Sequence, residues 1–428
     1  MTGIIISIGN ELLIGDTVNT NASWLGKFLT DQGIEVIRIH TISDDLGLVR
    51  NTIGESLAEA DLVITTGGLG PTHDDVTKKA VQDLFGAEMT IHKPTLGFIK
   101  KIFEKRNIPF SKSNYEQAEV PGNAEVLFNQ QGTAPGLWFE ENESLLAVLP
   151  GVPYEMKELA THKVKAKLDK LTGGNEQRFS RYILTAGVGE STLSDNVIGN
   201  LDSFLNNNLA VAYLPSPQGT RIRISGYGHS EEEVNEYMKP VVDHIYERAS
   251  ELIVGEGKEF TLSEALGNIL RERGLTLAVA ESCTGGYVAD SITNIAGSSD
   301  YFMGGMVTYS NRAKMDLLEV PDDVLKKSGA VSKPVALKMA RSAASKFGAD
   351  IGISTTGIAG PGGGTEEKPV GTVWIGYWSE KKHFAVSALF TNDRLINKER
   401  SSAVALEIVR RSVLGYEALP YDLKPQFS

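Results

Sequence analysis

Residues 4–8 read Ile-Ile-Ile-Ser-Ile and stop at Gly9-Asn10-Glu11. A run this short and this apolar, with no wet face, fits a strand covered on both sides. The same unit recurs at Asp61–Thr66 (DLVITT), which ends in Gly67-Gly68-Leu69-Gly70-Pro71, and at Leu145–Leu149, which ends in Pro150-Gly151-Val152-Pro153. Between them Ala22, Trp24, Leu25, Phe28 and Leu29 recur at helical spacing, and Ile34–Ile39 makes another strand. Leu46–Ala60 reads as a helix with Leu48, Val49, Ile53 and Leu57 on one face; another helix starts near Asp75, and a polar helix follows Pro150-Gly151-Val152-Pro153 to about Leu171. Strand–helix alternation of this kind predicts an α/β domain with a doubly wound parallel sheet over residues 1–171.

A chain of 428 residues has room for two to four domains, at roughly 100–200 residues each. Thr172-Gly173-Gly174-Asn175 reads as a linker. Residues 178–257 then give strand (Phe179–Ala186), helix (Ser191–Leu205), two strands (Leu209–Leu214, Thr220–Tyr227) and helix (Glu232–Ala249), a small α+β module. A second linker, Val254–Lys258, precedes a fresh α/β pattern over residues 258–428. The net charge of −12 argues against a general nucleic-acid or anionic-membrane binder. The middle module carries 6 Lys/Arg against 11 Asp/Glu and no GxxG loop, so it reads as a spacer or dimerisation element and not an RNA clamp. With one cysteine, no signal peptide and no apolar run of ~18 residues, a cytoplasmic protein without disulfides is expected.

Ligands in an open parallel sheet bind beyond the carboxyl ends of the strands. The three glycine-rich turns lie there, and they supply the N-terminal candidates: Asn10, Glu11 and Asp16; Gly67, Gly68, Gly70, Thr72 and His73; Pro150 and Gly151. Their glycines allow backbone N–H groups to approach an anion. Asp74 and Asp75 either cap the following helix or hold a divalent metal ion. Neither GxxxxGK[ST] nor GxGxxG is present at these turns, so the familiar mononucleotide and dinucleotide readings do not apply.

The C-terminal part has a second constellation. A strand over Leu275–Ala280 ends in Glu281-Ser282-Cys283-Thr284-Gly285-Gly286, a strand–turn–helix corner that displays a hydroxyl and a thiol beside free backbone amides. Tyr309 stands at a strand end and Lys314 one turn into the next helix, while Ile353–Gly363 gives a strand that runs into a glycine loop. Arg394, Lys398 and Arg400 begin the last helix and are candidates for a phosphate. Of seven histidines only His383 lies beyond residue 258, in an exposed-looking strand start. A nucleophile here therefore needs a Lys or Tyr base, for which Tyr309 and Lys314 are the candidates. Cys283 competes as nucleophile, but without a histidine to ionise it a buried, inert thiol is expected.

GNELLIGDTVNTNASWL, TTGGLGPTHDDVTKKAV, GTAPG and LPGVPYEM in the first part, with AESCTGG, YSNRAK and TTGIAGPGGG in the last, resemble the CinA (competence/damage-inducible protein A) family. The resemblance implies a molybdopterin-binding-like N-terminal domain that acts as a metal-dependent ADP-ribose pyrophosphatase, a KH-type middle fold, and a C-terminal nicotinamide mononucleotide deamidase. It assigns Asp74 and Asp75 to Mg²⁺ or a similar ion, Ser282 as nucleophile, and Tyr309 with Lys314 as the proton-handling pair. Thr356 would help at the oxyanion or carboxamide; Glu281, Thr284, Gly285, Gly286, Gly357 and Gly360 would line the substrate, with Lys398 or Arg400 on its phosphate. The deamidase would need no metal, the partners would be small nucleotides, and a homo-oligomer, a dimer, is expected. The competing reading is a non-catalytic pterin- or nucleotide-binding protein serving competence or DNA repair through partners; such a protein would release no AMP from ADP-ribose.

Overall fold

In the computed structural model, residues 1–72, 75–141, 144–172, 176–205 and 209–427 are described. They form two compact units: Met1–Phe179 with Tyr227–Val234, and Ser180–Gly226 with Asn235–Ser428.

The first unit is built on β1 (Thr2–Ile8), β2 (Glu35–Ile42), β3 (Leu62–Thr66), β4 (Glu125–Leu127), β5 (Gly136–Glu141) and β6 (Ser144–Leu149), in the order β2-β1-β3-β6-β5-β4. The strands β2, β1, β3 and β6 are parallel, as the βα alternation requires; β5 and β4 add an antiparallel edge that the sequence pattern did not signal. Helices α1 (Thr20–Asp31), α2 (Leu46–Glu59), α3 (Thr77–Phe85) and α4 (Pro153–Leu159) cover both faces. The unbroken Ile run is what this demands. Ile4, Ile6 and Ile8 pack with Val49, Ile53, Ala80 and Val81, while Ile5 packs with Leu25, Leu29, Met156 and Leu159 on the opposite side. After α4 a π-helical turn, Ala160–Val164, leads into a further helix ending at Thr172.

The second unit holds one sheet whole and most of another. The smaller has β7 (Gln177–Thr185), β8 (Leu209–Ser216), β9 (Gly219–Gly228) and β10 (Ile253–Glu256) in the order β8-β9-β7-β10, accompanied by α5 (Glu231–Ala249). The β8–β9 hairpin closes at Ser216↔Gly219. Two expectations are corrected here. The segment read as a helix over Ser191–Leu205 stops at Ile198, with Thr192–Ile198 in π form, and Gly199 at φ +79° ends it. The second linker, Val254–Lys258, is mostly β10, paired antiparallel with β7. Its Gly-Glu-Gly composition serves a register irregularity between Ile253 and Gly255.

The larger sheet has β11 (Leu277–Glu281), β12 (Phe302–Val307), β13 (Ile351–Gly357), β14 (Thr372–Ser379), β15 (His383–Leu389) and β16 (Gln426–Phe427), ordered β12-β11-β13-β14-β15-β16. Strands β12, β11 and β13 are parallel and the rest antiparallel. The helices are α6 (Leu262–Arg273), α7 (Tyr287–Thr293), α8 (Asn311–Leu318), α9 (Lys333–Phe347) and α10 (Arg394–Leu414). Leu277 and Val279 pack with Leu266 and Leu270 of α6 and with Val404 and Ile408 of α10. Ala278 and Ala280 meet Val335, Met339 and Ala343 of α9. Helix α9 lies so close that a β-carbon on Gly352 would stand 2.0 Å from the Ala340 carbonyl oxygen. Polar contacts join the two sheets: the buried Arg410 of α10 donates to the Glu251 carbonyl at 3.1 Å, and Tyr421 N–H to the Gly187 carbonyl. Among the described residues no helix is long and apolar enough to cross a membrane.

Candidate active site

The end of β11 and the start of α7 make the corner carrying Ser282. The ladder with β13 is in register at Glu281↔Thr355 and continues as Ser282 N–H donates to the Thr355 carbonyl at 2.9 Å. Glu281 is fully buried, and its carboxylate accepts from the N–H groups of Gly286 (2.9 Å), Val288 (3.1 Å) and Ala289 (2.9 Å). It therefore fastens the helix start to the strand end, and its place is structural rather than at the substrate. Thr284, also expected at the substrate, shares a hydroxyl–hydroxyl hydrogen bond of 2.6 Å with Thr355. Gly285 and Gly286, at φ +61° and +99°, turn the chain through a conformation that side chains resist.

Lys314 arrives from the other side. Ser310 caps α8 by accepting from Ala313 N–H, which sets Lys314 one turn in. The Lys314 side chain is 1% exposed, and its Nζ donates to Ser282 Oγ at 2.8 Å and to the Thr308 carbonyl at 2.7 Å. Burial without a carboxylate partner pushes the ammonium down to about 8. Ser282 is itself 8% exposed, so the pair lies in a largely dry setting. A hydroxyl held against an amine that titrates near neutrality is a nucleophile with its own base. Cys283, next in the chain and 5% exposed, is pushed the opposite way: burial raises its thiol to about 12 despite the N–H groups of Cys283 and Thr284. It stays protonated at neutral pH, as the absence of a nearby histidine suggested.

The remaining C-terminal candidates are distributed less simply. Tyr309 follows the fully buried Thr308, so chain alternation turns it outward; it is exposed, and its hydroxyl accepts from Arg394 at 2.8 Å. It is not hydrogen-bonded to Ser282, and the expected Tyr309–Lys314 pair is not formed. Arg394 also donates to the Gly360 carbonyl at 2.8 Å, which joins the last helix, the glycine loop and Tyr309 at one rim. Thr356 is buried with its hydroxyl on the Ala330 carbonyl at 2.8 Å. Gly357 ends β13 pressed against Val373. Lys398 Nζ stands 3.7 Å from where a β-carbon of Gly285 would be, beside the Ser282 corner. Arg400, two residues on and so turned by about 200°, instead lines a cavity with Pro215 and Tyr421. Of the two cations, Lys398 is the one brought to the corner.

In the first unit the three turns do converge. A β-carbon on Gly67 (φ +111°) would lie 2.2 Å from the Ile8 carbonyl oxygen, and one on Gly151 would be 3.3 Å from the Gly67 Cα. Thr66 donates to the Pro150 carbonyl at 2.9 Å, Thr77 to the Gly67 carbonyl at 2.9 Å, and Gln117 to the Leu69 carbonyl at 2.6 Å. The N–H groups of Gly68, Leu69 and Gly70 make no hydrogen bond among the described residues. Asn10 N–H donates to Asp44 at 2.9 Å, and Glu11 lines a small cleft with Asn19, Asn21, Thr66 and Gly151; Asp16 is exposed nearby in sequence. Asp75 Oδ2 accepts from Thr72 N–H at 2.8 Å and from the Thr72 hydroxyl, closing the loop. His73 and Asp74 lie outside the described residues. Among the described residues no group of three or more His, Cys, Asp or Glu side chains converges as a metal cage.

Family models match in three blocks: the "Probable molybdopterin binding domain" over residues 4–170, the "Damage-inducible protein CinA KH domain" over 180–255, and the "CinA C-terminal domain" over 259–413. A CinA-like protein of Chloroherpeton thalassium is 43% identical over 420 residues, covering 96% of this chain and 99% of its own length. The chain belongs to the CinA family. Another CinA-like protein, from Salinibacter ruber, is 40% identical over 414 residues, covering 96% of this chain and 100% of its own. The crystal structure of the protein CinA with unknown function from Thermoplasma acidophilum is 36% identical, covers 39% of this chain and 96% of that one, and superposes at a TM-score of 0.36.

Two positions in this CinA-family chain escaped the sequence reading. Asn21 donates to Thr66 Oγ1 at 3.1 Å and to the Gly151 carbonyl at 2.8 Å, so one amide ties two of the three turns together. Asn397 is 1% exposed; its Oδ1 accepts from Thr391 N–H at 2.9 Å and its Nδ2 donates to the Ala359 carbonyl at 3.0 Å, which holds the glycine loop to α10. Each is an asparagine at or near a helix start, where capping is the usual expectation, and nothing local marks a longer reach.

Proposed function

We propose that the C-terminal part of this CinA-family chain is a metal-free amidase that converts nicotinamide mononucleotide to nicotinic acid mononucleotide and ammonia. The observation that carries the reading is the Lys314 Nζ–Ser282 Oγ contact of 2.8 Å, buried, with the amine lowered to about 8. At neutral pH roughly a tenth of Lys314 is then free base. Neutral Lys314 takes the Ser282 proton as Oγ attacks the carboxamide carbon, and the resulting ammonium returns it to the departing nitrogen, releasing ammonia. Water then attacks the Ser282 ester, giving up a proton to Lys314; the carboxylate leaves as the proton returns to Oγ. Lys398 beside Gly285, with Arg394 at the rim, supplies positive charge for the substrate phosphate. Ammonia release should fall by about 10²–10⁴ in Lys314→Met; retention of most of the rate would overturn the assignment of the base.

For the first unit the same reading is hydrolysis of ADP-ribose to AMP and ribose 5-phosphate. The unspent amides of the Gly68–Gly70 turn suit a pyrophosphate. Mg²⁺ takes one or two carboxylates and fills its shell with substrate oxygens and water, so Asp75, with Asp74 beside it in sequence, fits that need. The ion, when bound, would neutralise charge on the pyrophosphate. AMP release should require added Mg²⁺ and vanish in Asp74→Ala/Asp75→Ala; equal release in EDTA would remove the metal from the proposal. Both substrates are small nucleotides, and no nucleic acid or membrane partner is needed.

A further inference from the structure

Within the second unit a cavity of about 480 Å³ lies between the small sheet and the larger one, off the Ser282 corner. That volume lies in the range of small-ligand sites, roughly 300–1,000 Å³. Its lining combines three kinds of group. Arg400 is the cation; it is exposed and makes no ion pair or hydrogen bond among the described residues. Tyr421 and Phe390 give aromatic surface, with Pro215 and Leu389 as further apolar wall. Glu190 gives one carboxylate. Tyr421 and Asp422 both sit in the left-handed region at φ 54° and 52°, and Tyr421 N–H is tied to the Gly187 carbonyl. Two successive strained residues, held by a bond to the small sheet, fix the tyrosine in this wall.

We propose that this cavity is a second, non-catalytic binding site for a mononucleotide. A guanidinium without a partner answers a phosphate monoester, aromatic and proline surface answers a flat base, and a carboxylate answers the hydroxyls of a ribose. The site is separate from the amidase centre because Lys398 and Arg400, two residues apart on α10, face different sides of that helix. It rests on neither proposed activity, since the ligand class follows from the lining alone.

The test is calorimetric titration of the full chain with AMP. The site predicts a binding event that weakens at least tenfold in Arg400→Glu and in Leu389→Lys, and stays within twofold in Asp75→Ala and Lys398→Ala. Arg400 and Leu389 are exposed, so both cavity variants should keep the wild-type melting temperature. Adenosine and ribose 5-phosphate, each with half of the groups, should bind at least tenfold more weakly than AMP. No AMP binding by the wild type, or binding unchanged in both cavity variants, would overturn the proposal. Ribose 5-phosphate binding as tightly as AMP would also overturn it, in favour of a bare anion site.

Discussion

Lys314 carries most of the chemistry that a single residue can carry here. Its ammonium is lowered from 10.5 to about 8 by burial. The rate of ammonia release should therefore climb with pH to a shoulder near 8, and Lys314→Arg, charged at every accessible pH, should show neither the rate nor the shoulder. The same shift has a consequence for stability. Between pH 8 and 10.5 the unfolded chain still holds a proton that the folded chain has released, so the folded state gains as pH rises through that window. Below pH 8 both states are protonated and the cost of burying the charge is present in full. Relative to Lys314→Met, the wild type should thus gain about 3 kcal/mol from pH 8 to 10.5, read from urea unfolding at each pH. A flat difference would show that the amine is not titrating where its burial puts it. That Lys314 was a candidate base could be seen from the missing histidines. That Tyr309 was not its partner could not, because one residue of chain alternation decides which way a side chain points and the segment Thr308–Ser310 has no apolar pattern to fix it.

At the scale of elements, the strand ends were legible because their residues have few alternatives. Ile4–Ile8 must be covered on both sides, and Ser282 follows a strand into a Gly-Gly turn. What escaped was long-range use of polar groups. Glu281 reads as a residue displayed beside Ser282, yet it is buried and accepts three N–H groups from the start of α7. Hydrogen bonds to a buried charge are worth about 1.5–3 kcal/mol each, and they are not additive. Glu281→Ala should cost about 2–4 kcal/mol in chemical denaturation and abolish ammonia release with it. Unchanged stability would return Glu281 to the substrate. The stretch Val254–Lys258 shows the converse failure: two glycines suggested a linker, and they instead let β10 shift register against β7. Gly352 makes the contact between sheet and α9 possible, so Gly352→Ala, driven against the Ala340 carbonyl, should destabilise by about 1–3 kcal/mol.

Across the molecule, three blocks of sequence become two compact units because the small sheet is bound to the C-terminal sheet by buried charge. Glu407, 1% exposed, accepts from Arg410 Nε at 2.7 Å and from Arg411 Nε at 2.7 Å, while Arg410 reaches the Glu251 carbonyl. Removing the carboxylate leaves two buried guanidinium groups, so Glu407→Ala should lose about 3–5 kcal/mol in thermal or urea unfolding. A loss under 1 kcal/mol would mean that the joint is held by apolar contact instead. No spacing rule exposes such a triad, because Glu407-Ile408-Val409-Arg410-Arg411 reads as an ordinary amphipathic turn until another module lies against it. The central claim, however, concerns one oxygen atom. Ammonia release from nicotinamide mononucleotide should be measured in EDTA for the wild type, Ser282→Ala and Cys283→Ala. The account predicts a wild-type rate that EDTA does not change, survives Cys283→Ala within a few-fold, and is abolished in Ser282→Ala. Loss in Cys283→Ala with activity kept in Ser282→Ala, or no ammonia from the wild type, would contradict it.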